Sequence, residues 1–340
     1  TGNLGDPVMR EGANPAFTCD ECGSLLARDG MNLHADWHDK KDDKPSLPPW
    51  NINETREPVV FTRLTHTRFG GRWLLRMEDL DRVTSSTVHE GDQLAAMASL
   101  GLEPDEPVVR QSERFALYRD AIATLTAQGR VYECFCTRRE IREAALAPHG
   151  ELPEGAYPGT CREMSVARRA ALVSEGRTPA LRLRTNGERF VVDDLVAGRY
   201  EGGVDDVVLQ RADGVPAYNL AVVVDDAAQG ITHVTRADDL LSSTPRQRLL
   251  QQLLGLPEPT YAHVPLVLAP DGTRLAKRHG AVTLADLAAR GVTPADVLSR
   301  LAASLGLAEP GEAVTTAELV TRFAIERVPT QPWRLAPTDV

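Results

Sequence analysis

The sequence predicts an α/β protein built on a parallel sheet, with candidate metal ligands and room for a second module, and three observations carry these readings. Strand and helix signals alternate from about residue 60 onward, and the composition changes at the same point. Five cysteines fall at spacings that suit metal ligation better than a disulfide framework. A chain of 340 residues has room for about two domains and a sizeable core. Its formal charge of −10 excludes a general nucleic-acid binder, because phosphate attraction needs clustered basic charge. An RNA partner would have to meet a local basic surface. No apolar run reaches the ~20 residues of a membrane span, and no secretion signal opens the sequence. A cytoplasmic protein with no membrane partner is therefore expected.

Residues 1–44 read as a small zinc-finger-like segment, because Cys19-x2-Cys22-x11-His34-x3-His38 approaches a two-Cys, two-His spacing. The central stretch is one residue short of the usual twelve and lacks a basic helix face, so sequence-specific DNA reading is not expected. A segment without zinc is the alternative. Residues 45–60 read as a linker that overlaps the charged, Pro-rich run 39–58. Residues 61–292 read as an α/β core. Trp73 to Met77 suits a buried strand, and Ser112 opens a helix to Leu125 as its cap. Strands are expected at 179–184, 207–210 and 231–234, and a helix at 246–254. Residues 293–340 read as a helical segment, opened by an amphipathic helix at 294–305 with Thr293 as cap and Pro294 in its first turn. Strands alternating with helices place a ligand site beyond the strand C-termini.

A second cysteine constellation lies inside the core. Cys134-Phe-Cys136 is followed by Tyr157-Pro-Gly-Thr-Cys161, and three thiolates with a phenol oxygen make a four-coordinate zinc shell of the closed, structural type. Three unrelated buried cysteines are the alternative.

The motifs from about Trp73 onward carry a resemblance. Arg76-Met-Glu78-Asp-Leu-Asp81, Gln111-Ser-Glu-Arg114 and Tyr132-Glu-Cys134-Phe-Cys136 come first. Asp213-Gly-Val-Pro-Ala-Tyr218-Asn219, Asp225-Asp226, the stretch from Arg236 to Gln247, and Arg274-Leu275-Ala276-Lys277-Arg278-His-Gly280 follow in order. Together they resemble the glutamyl-tRNA synthetase family of class I aminoacyl-tRNA synthetases. The resemblance implies a Rossmann-like parallel sheet with a zinc-bearing insertion at about 130–200. It implies glutamate and ATP as substrates, Mg²⁺ accompanying ATP, and Zn²⁺ in the insertion on Cys134, Cys136, Tyr157 and Cys161. Within the family, the zinc ligands and the short chain are similar to the branch that esterifies glutamate onto the queuosine wobble base of tRNA(Asp). A monomer is expected.

By the same resemblance Glu78, Tyr218 and Arg236 bind glutamate, and Arg274, Leu275, Ala276, Lys277 and Arg278 bind ATP. An arginine fork suits a carboxylate, and a compact ammonium suits charge developing on a triphosphate. Lys277 also stands out in composition. Of 38 basic residues 34 are Arg, and Lys277 is the one Lys beyond residue 44. Ala276 replaces the family's usual Ser.

One departure bears on activity. The family opens with a first strand, a Pro-Ser-Pro turn and a HIGH motif at a helix N-terminus, and residues 59–72 match none of these. The sheet is therefore expected to be incomplete at its first strand. Two further functions stay open: a truncated glutamyl-tRNA synthetase charging tRNA(Glu), and a catalytically impaired pseudoenzyme.

Overall fold

The computed structural model of the chain describes residues 9–11, 16–19, 25–27, 71–80, 85, 87–137, 139–141, 156–269, 272 and 283–334. Two compact units divide the chain: residues 1–50 with 82–84, and residues 51–81 with 85–340. In the first, β1 (Met9–Glu11), β2 (Ala16–Cys19) and β3 (Leu25–Ala27) form an antiparallel sheet in that order. Cys19 closes β2, while Cys22, His34, His38 and the 45–60 linker lie outside the described residues.

The second unit runs from β4 (Arg76–Met77) through α1 (Thr87–Ser99), β5 (Val109–Arg110) and α2 (Phe115–Ala127). Then come β6 (Val131–Cys134), α3 (Val166–Ser174), β7 (Ala180–Leu183), β8 (Arg189–Asp194), β9 (Gly198–Gly203) and β10 (Val208–Gln210). The chain continues through α4 (Tyr218–Gln229), β11 (His233–Ala237), α5 (Thr244–Leu254), β12 (Thr260–Val264) and β13 (Val267–Leu268). It finishes with α6 (Leu284–Ala289), α7 (Pro294–Ser304), α8 (Thr316–Arg322) and β14 (Trp333–Arg334).

Parallel pairing holds for β4 with β5, β11 with β12, and β13 with β14. It does not hold for the strands expected at 179–184 and 207–210. There β6, β7 and β10 form an antiparallel sheet in the order β10-β7-β6, and β8 with β9 form a hairpin. Apolar runs flanking a helix look alike in sequence whichever way the returning strand points, and here the connection carrying α3 reverses the chain. A second correction concerns Ser112. Helix α2 starts at Phe115, after a 3-10 turn at Gln111–Glu113, and Arg114 occupies the cap position. Ser112 instead gives its backbone N–H and hydroxyl to the Asp79 carboxylate, at 2.9 and 2.5 Å. Thr293 does cap α7, in a reciprocal box with Asp296 that also has Pro294 in the first turn. The C-terminal segment, expected to be helical, also contributes the short strand β14.

Among the described residues, two large apolar clusters hold this unit. Tyr118 and Leu125 of α2, Leu220 of α4 and Leu250 of α5 meet Leu183 and Leu209 of the antiparallel sheet. Trp73, Leu102 and Val264 meet Leu301 of α7 and Leu319 of α8. Among the described residues no helix is long and apolar enough to cross a membrane.

Candidate active site

A cavity of about 440 Å³ opens between the segment leading into β4, one face of α4, and β11. The spacing of α4 makes that face. Tyr218, Val222, Asp226 and Gln229 recur at three- and four-residue intervals, so all four line the cavity. Gly230 ends the helix in the left-handed region at φ 65°, a conformation that favours a residue without a Cβ, and turns the chain into β11. Arg236, inside β11, reaches the same space, and Arg76 and Glu78 face it from β4 and just beyond. The structure thus brings Glu78, Tyr218 and Arg236 to one cavity, although up to 158 residues separate them in sequence.

Each wall is fixed by charged hydrogen bonds. Arg76 donates from Nη1 to Asp226 at 2.8 Å and to the Gln229 side-chain oxygen at 2.9 Å, and lies 3.6 Å from Glu78. Behind it, the fully buried Asp225 accepts from Gln111 at 2.9 Å, Arg114 at 2.6 Å and the Tyr118 hydroxyl at 2.7 Å. Arg236 is 8% exposed and donates from Nε to His263 Nε2 at 2.9 Å, from Nη1 to Gln247 at 2.7 Å and from Nη2 to Thr244 at 2.8 Å. Its guanidinium sits 5.4 Å over the Tyr261 ring.

Desolvation in the cavity raises the Glu78 and Asp226 carboxyls above their ordinary range, with the Arg76 charge opposing the shift in both. Burial first, and then the Glu78 charge, push the Tyr218 hydroxyl up to about 12, so it stays a hydrogen-bond donor at neutral pH. The cavity therefore offers the Arg236 fork, the Arg76 guanidinium held by Asp226 and Gln229, one phenolic donor and two carboxylates. A zwitterion carrying a second carboxylate matches that set.

The cysteines form a separate cluster. Cys134 at the end of β6, Cys136 and Cys161 hold their sulfurs within 4.8 Å of one another. Cys136 Sγ lies 3.4 Å from Cys161 Sγ. The Tyr157 hydroxyl stands 3.4 Å from Cys134 Sγ and 3.6 Å from Cys136 Sγ, and accepts the Cys161 backbone N–H at 2.8 Å. Arg182 covers the Tyr157 ring at 3.7 Å. Three convergent thiols and an adjacent phenol oxygen fit a tetrahedral zinc donor set. The loop carrying Arg274, Leu275, Ala276, Lys277 and Arg278 lies outside the described residues.

Sequence reasoning passed over Asp194 and His263, which stand behind Arg236. Only the burial of a His inside the apolar strand β12 could have flagged them, and burial is not legible without the fold.

Residues 59–339 match the family model of the tRNA synthetases class I (E and Q), catalytic domain. The chain belongs to that family of ligases. It is 56% identical over 266 residues to a glutamyl-Q tRNA(Asp) synthetase of Nocardia farcinica, covering 78% of this chain and 83% of that protein. A glutamyl-Q tRNA(Asp) synthetase of Symbiobacterium thermophilum is 49% identical over 280 residues, covering 79% and 87%. A glutamate–tRNA ligase of Heliobacterium modesticaldum is 38% identical over 300 residues, and this chain spans 60% of its length. The fold agrees with a crystal structure of a glutamate-tRNA synthetase from Elizabethkingia anophelis. The TM-score is 0.71 at 24% identity, over 86% of this chain and 66% of that one.

Proposed function

We propose that this chain activates glutamate with ATP and transfers it to the queuosine wobble base of tRNA(Asp). The observation that carries the proposal is the convergence of Glu78, Tyr218 and Arg236 on one cavity, whose volume of about 440 Å³ lies in the range of small-molecule sites. Arg236 takes a glutamate carboxylate in its fork, Tyr218 donates its hydroxyl, and Glu78 with Asp226 accepts from the ammonium. Kinship at 49–56% identity to two glutamyl-Q tRNA(Asp) synthetases supports glutamate and this tRNA as substrates.

Arg274, Leu275, Ala276, Lys277 and Arg278 are proposed as the ATP loop. Lys277 would place a positive charge where the triphosphate accumulates negative charge during attack on the α-phosphorus, with Mg²⁺ accompanying the nucleotide. Cys134, Cys136, Tyr157 and Cys161 are proposed to hold one Zn²⁺, which would tie β6 to the segment before α3 and so brace the inserted antiparallel sheet. Cys19, Cys22, His34 and His38 are a second zinc proposal that rests on spacing. The receiving wobble base is a splayed nucleoside of the kind proteins stack and hydrogen-bond.

Radiolabelled glutamate, ATP and queuosine-containing tRNA(Asp) test the reading directly. Label that accumulates slowly on the wobble nucleoside, and none on tRNA(Glu), is the expected result. Label on the 3′ end of tRNA(Glu) would instead favour a truncated glutamyl-tRNA synthetase. Failure to label either tRNA would favour the impaired pseudoenzyme.

A further inference from the structure

Behind Arg236 lies a buried chain of hydrogen bonds that the substrate-binding residues do not explain. Arg236 and His263 are direct partners in the parallel β11–β12 ladder, so their side chains stand beside each other on one face. His263 is 1% exposed. Its Nε2 accepts from Arg236 Nε at 2.9 Å, and its Nδ1 lies 2.6 Å from Asp194 Oδ2. Asp194 is held in turn. Its Oδ1 accepts the backbone N–H groups of Val196, Ala197 and His263 at 3.0, 2.8 and 2.9 Å. Burial is the largest single effect on its carboxyl and pushes it up, but the His263 side-chain bond and these three backbone bonds together outweigh it and hold the carboxyl below the usual carboxylate range.

The donors and acceptors leave one arrangement. Arg Nε–H can only donate, so His263 Nε2 must present its lone pair; a carboxylate can only accept, so Nδ1 must carry the hydrogen. We propose that Asp194 and His263 are positioning residues for the glutamate site: Asp194 locks His263 as the neutral Nδ1–H tautomer, and His263 then fixes the plane of the Arg236 guanidinium. With Gln247 and Thr244 taking one N–H from each terminal nitrogen, three of the five donors are occupied and two remain for substrate. A fork fixed in this way loses little freedom when it takes a carboxylate. The inference rests on the reading of Arg236 as a glutamate ligand.

Asp194→Asn separates positioning from mere packing. The three backbone donors at Oδ1 keep the amide oxygen where it is, so the amide NH2 replaces Oδ2 and faces His263 Nδ1. The imidazole proton must then move to Nε2, where it opposes the Arg236 Nε–H. His263→Gln keeps an oxygen acceptor for Arg236 and an amide donor for Asp194, whereas His263→Leu carries neither and so passes no change at Asp194 on to Arg236.

Glutamate titrated calorimetrically into the full chain and its variants provides the readout, with folding checked by thermal melting. Arg236→Lys should weaken glutamate about tenfold or more, and so should Asp194→Asn, since each forfeits a charge-assisted hydrogen bond. His263→Gln should stay within about threefold of the parent, because the bond to Arg236 is kept. In a His263→Leu background, adding Asp194→Asn should change glutamate affinity little, the non-additivity expected of residues acting in series. Nitrogen NMR of labelled histidine should show His263 protonated at Nδ1 in the parent and at Nε2 in Asp194→Asn. If Arg236→Lys weakens glutamate while Asp194→Asn does not, or if the Asp194→Asn penalty persists in full when combined with His263→Leu, the positioning role is overturned and the site reading stands. If the parent chain binds no glutamate, or Arg236→Lys leaves affinity unchanged, the site reading fails and the positioning role with it.

Discussion

Asp225 shows no surface to solvent, yet its two oxygens accept from Gln111, Arg114 and Tyr118, with Arg76 Nε 3.7 Å away. It is the point where the segment before α2, helix α4 and strand β4 are tied together behind the cavity. A buried carboxylate facing two guanidinium groups is hard to delete, because its removal leaves desolvated positive charge without a counter-charge. Asp225→Ala should therefore cost ~3–5 kcal/mol in urea unfolding, with Asp225→Asn costing less because the amide oxygen still accepts. Tyr218 is the contrasting case. It is 40% exposed and anchors no core, so Tyr218→Phe should leave unfolding unchanged and weaken glutamate about tenfold in direct titration. The two residues also differ in how far the sequence reveals them. Tyr218 follows Asp213-Gly-Val-Pro-Ala in a quoted motif, whereas the pairing of Asp194 with His263 joins positions 69 apart that share no local pattern. Motif order identifies residues that face the cavity. Residues that act by facing another residue are set by strand register, which a single sequence does not display.

Among the elements, the best-read ones carry their own stop and start signals. Helix α7 was expected from Thr293 and Pro294, and it begins there because Thr293 accepts the Asp296 N–H while Asp296 accepts from Thr293. The same reciprocal box recurs as Thr283 with Asp286 at α6 and Thr315 with Glu318 at α8. Helix α6 is short, so its cap should matter: Thr283→Ala should cost ~1 kcal/mol of stability by thermal or urea unfolding. In all three boxes the threonine hydroxyl, and then the backbone N–H, draws the carboxyl below its ordinary range. A folded-state value below the unfolded one gives stabilisation that is present above the unfolded carboxylate range and fades as pH falls through the folded value. Acid should accordingly loosen the C-terminal helices, and Thr283→Ala should flatten the acid limb of the stability curve. Direction of pairing was less legible, since a run such as Pro179 to Arg184 reads the same in a parallel or an antiparallel sheet. The cysteine cluster at the end of β6 in the antiparallel sheet was legible from spacing. Cys161→Ala should lower bound zinc by about one equivalent in metal analysis of the full chain. Unchanged zinc would remove Cys161 from the ligand set.

For the molecule as a whole, adenylation chemistry asks more than a glutamate pocket. Charge builds on the triphosphate as the carboxylate attacks, and the family resemblance implies stabilisation from two sides. One side is the loop lysine, Lys277 here; the other is a pair of histidines with helix N-terminal amides. The cavity walls make the amino-acid half of such a site coherent, because Arg76, Asp225 and Asp226 brace one side and Arg236 the other. No His-x-Gly-His sequence occurs anywhere in the 340 residues, so the histidine side of the triphosphate has no match. Removing one preorganised donor from a developing oxyanion costs ~10² in rate, and several are at stake. Glutamate affinity and turnover should therefore come apart. The chain is expected to bind glutamate in direct titration yet to show glutamate-dependent ATP–pyrophosphate exchange at least ~10²-fold slower than a relative that carries the motif. Grafting a family-like Pro-Ser-Pro and HIGH segment ahead of Phe69 should recover exchange without altering glutamate affinity. Robust exchange by the unaltered chain, abolished by Lys277→Ala, would mean that residues 1–72 supply the second side of the charge clamp through groups other than those histidines.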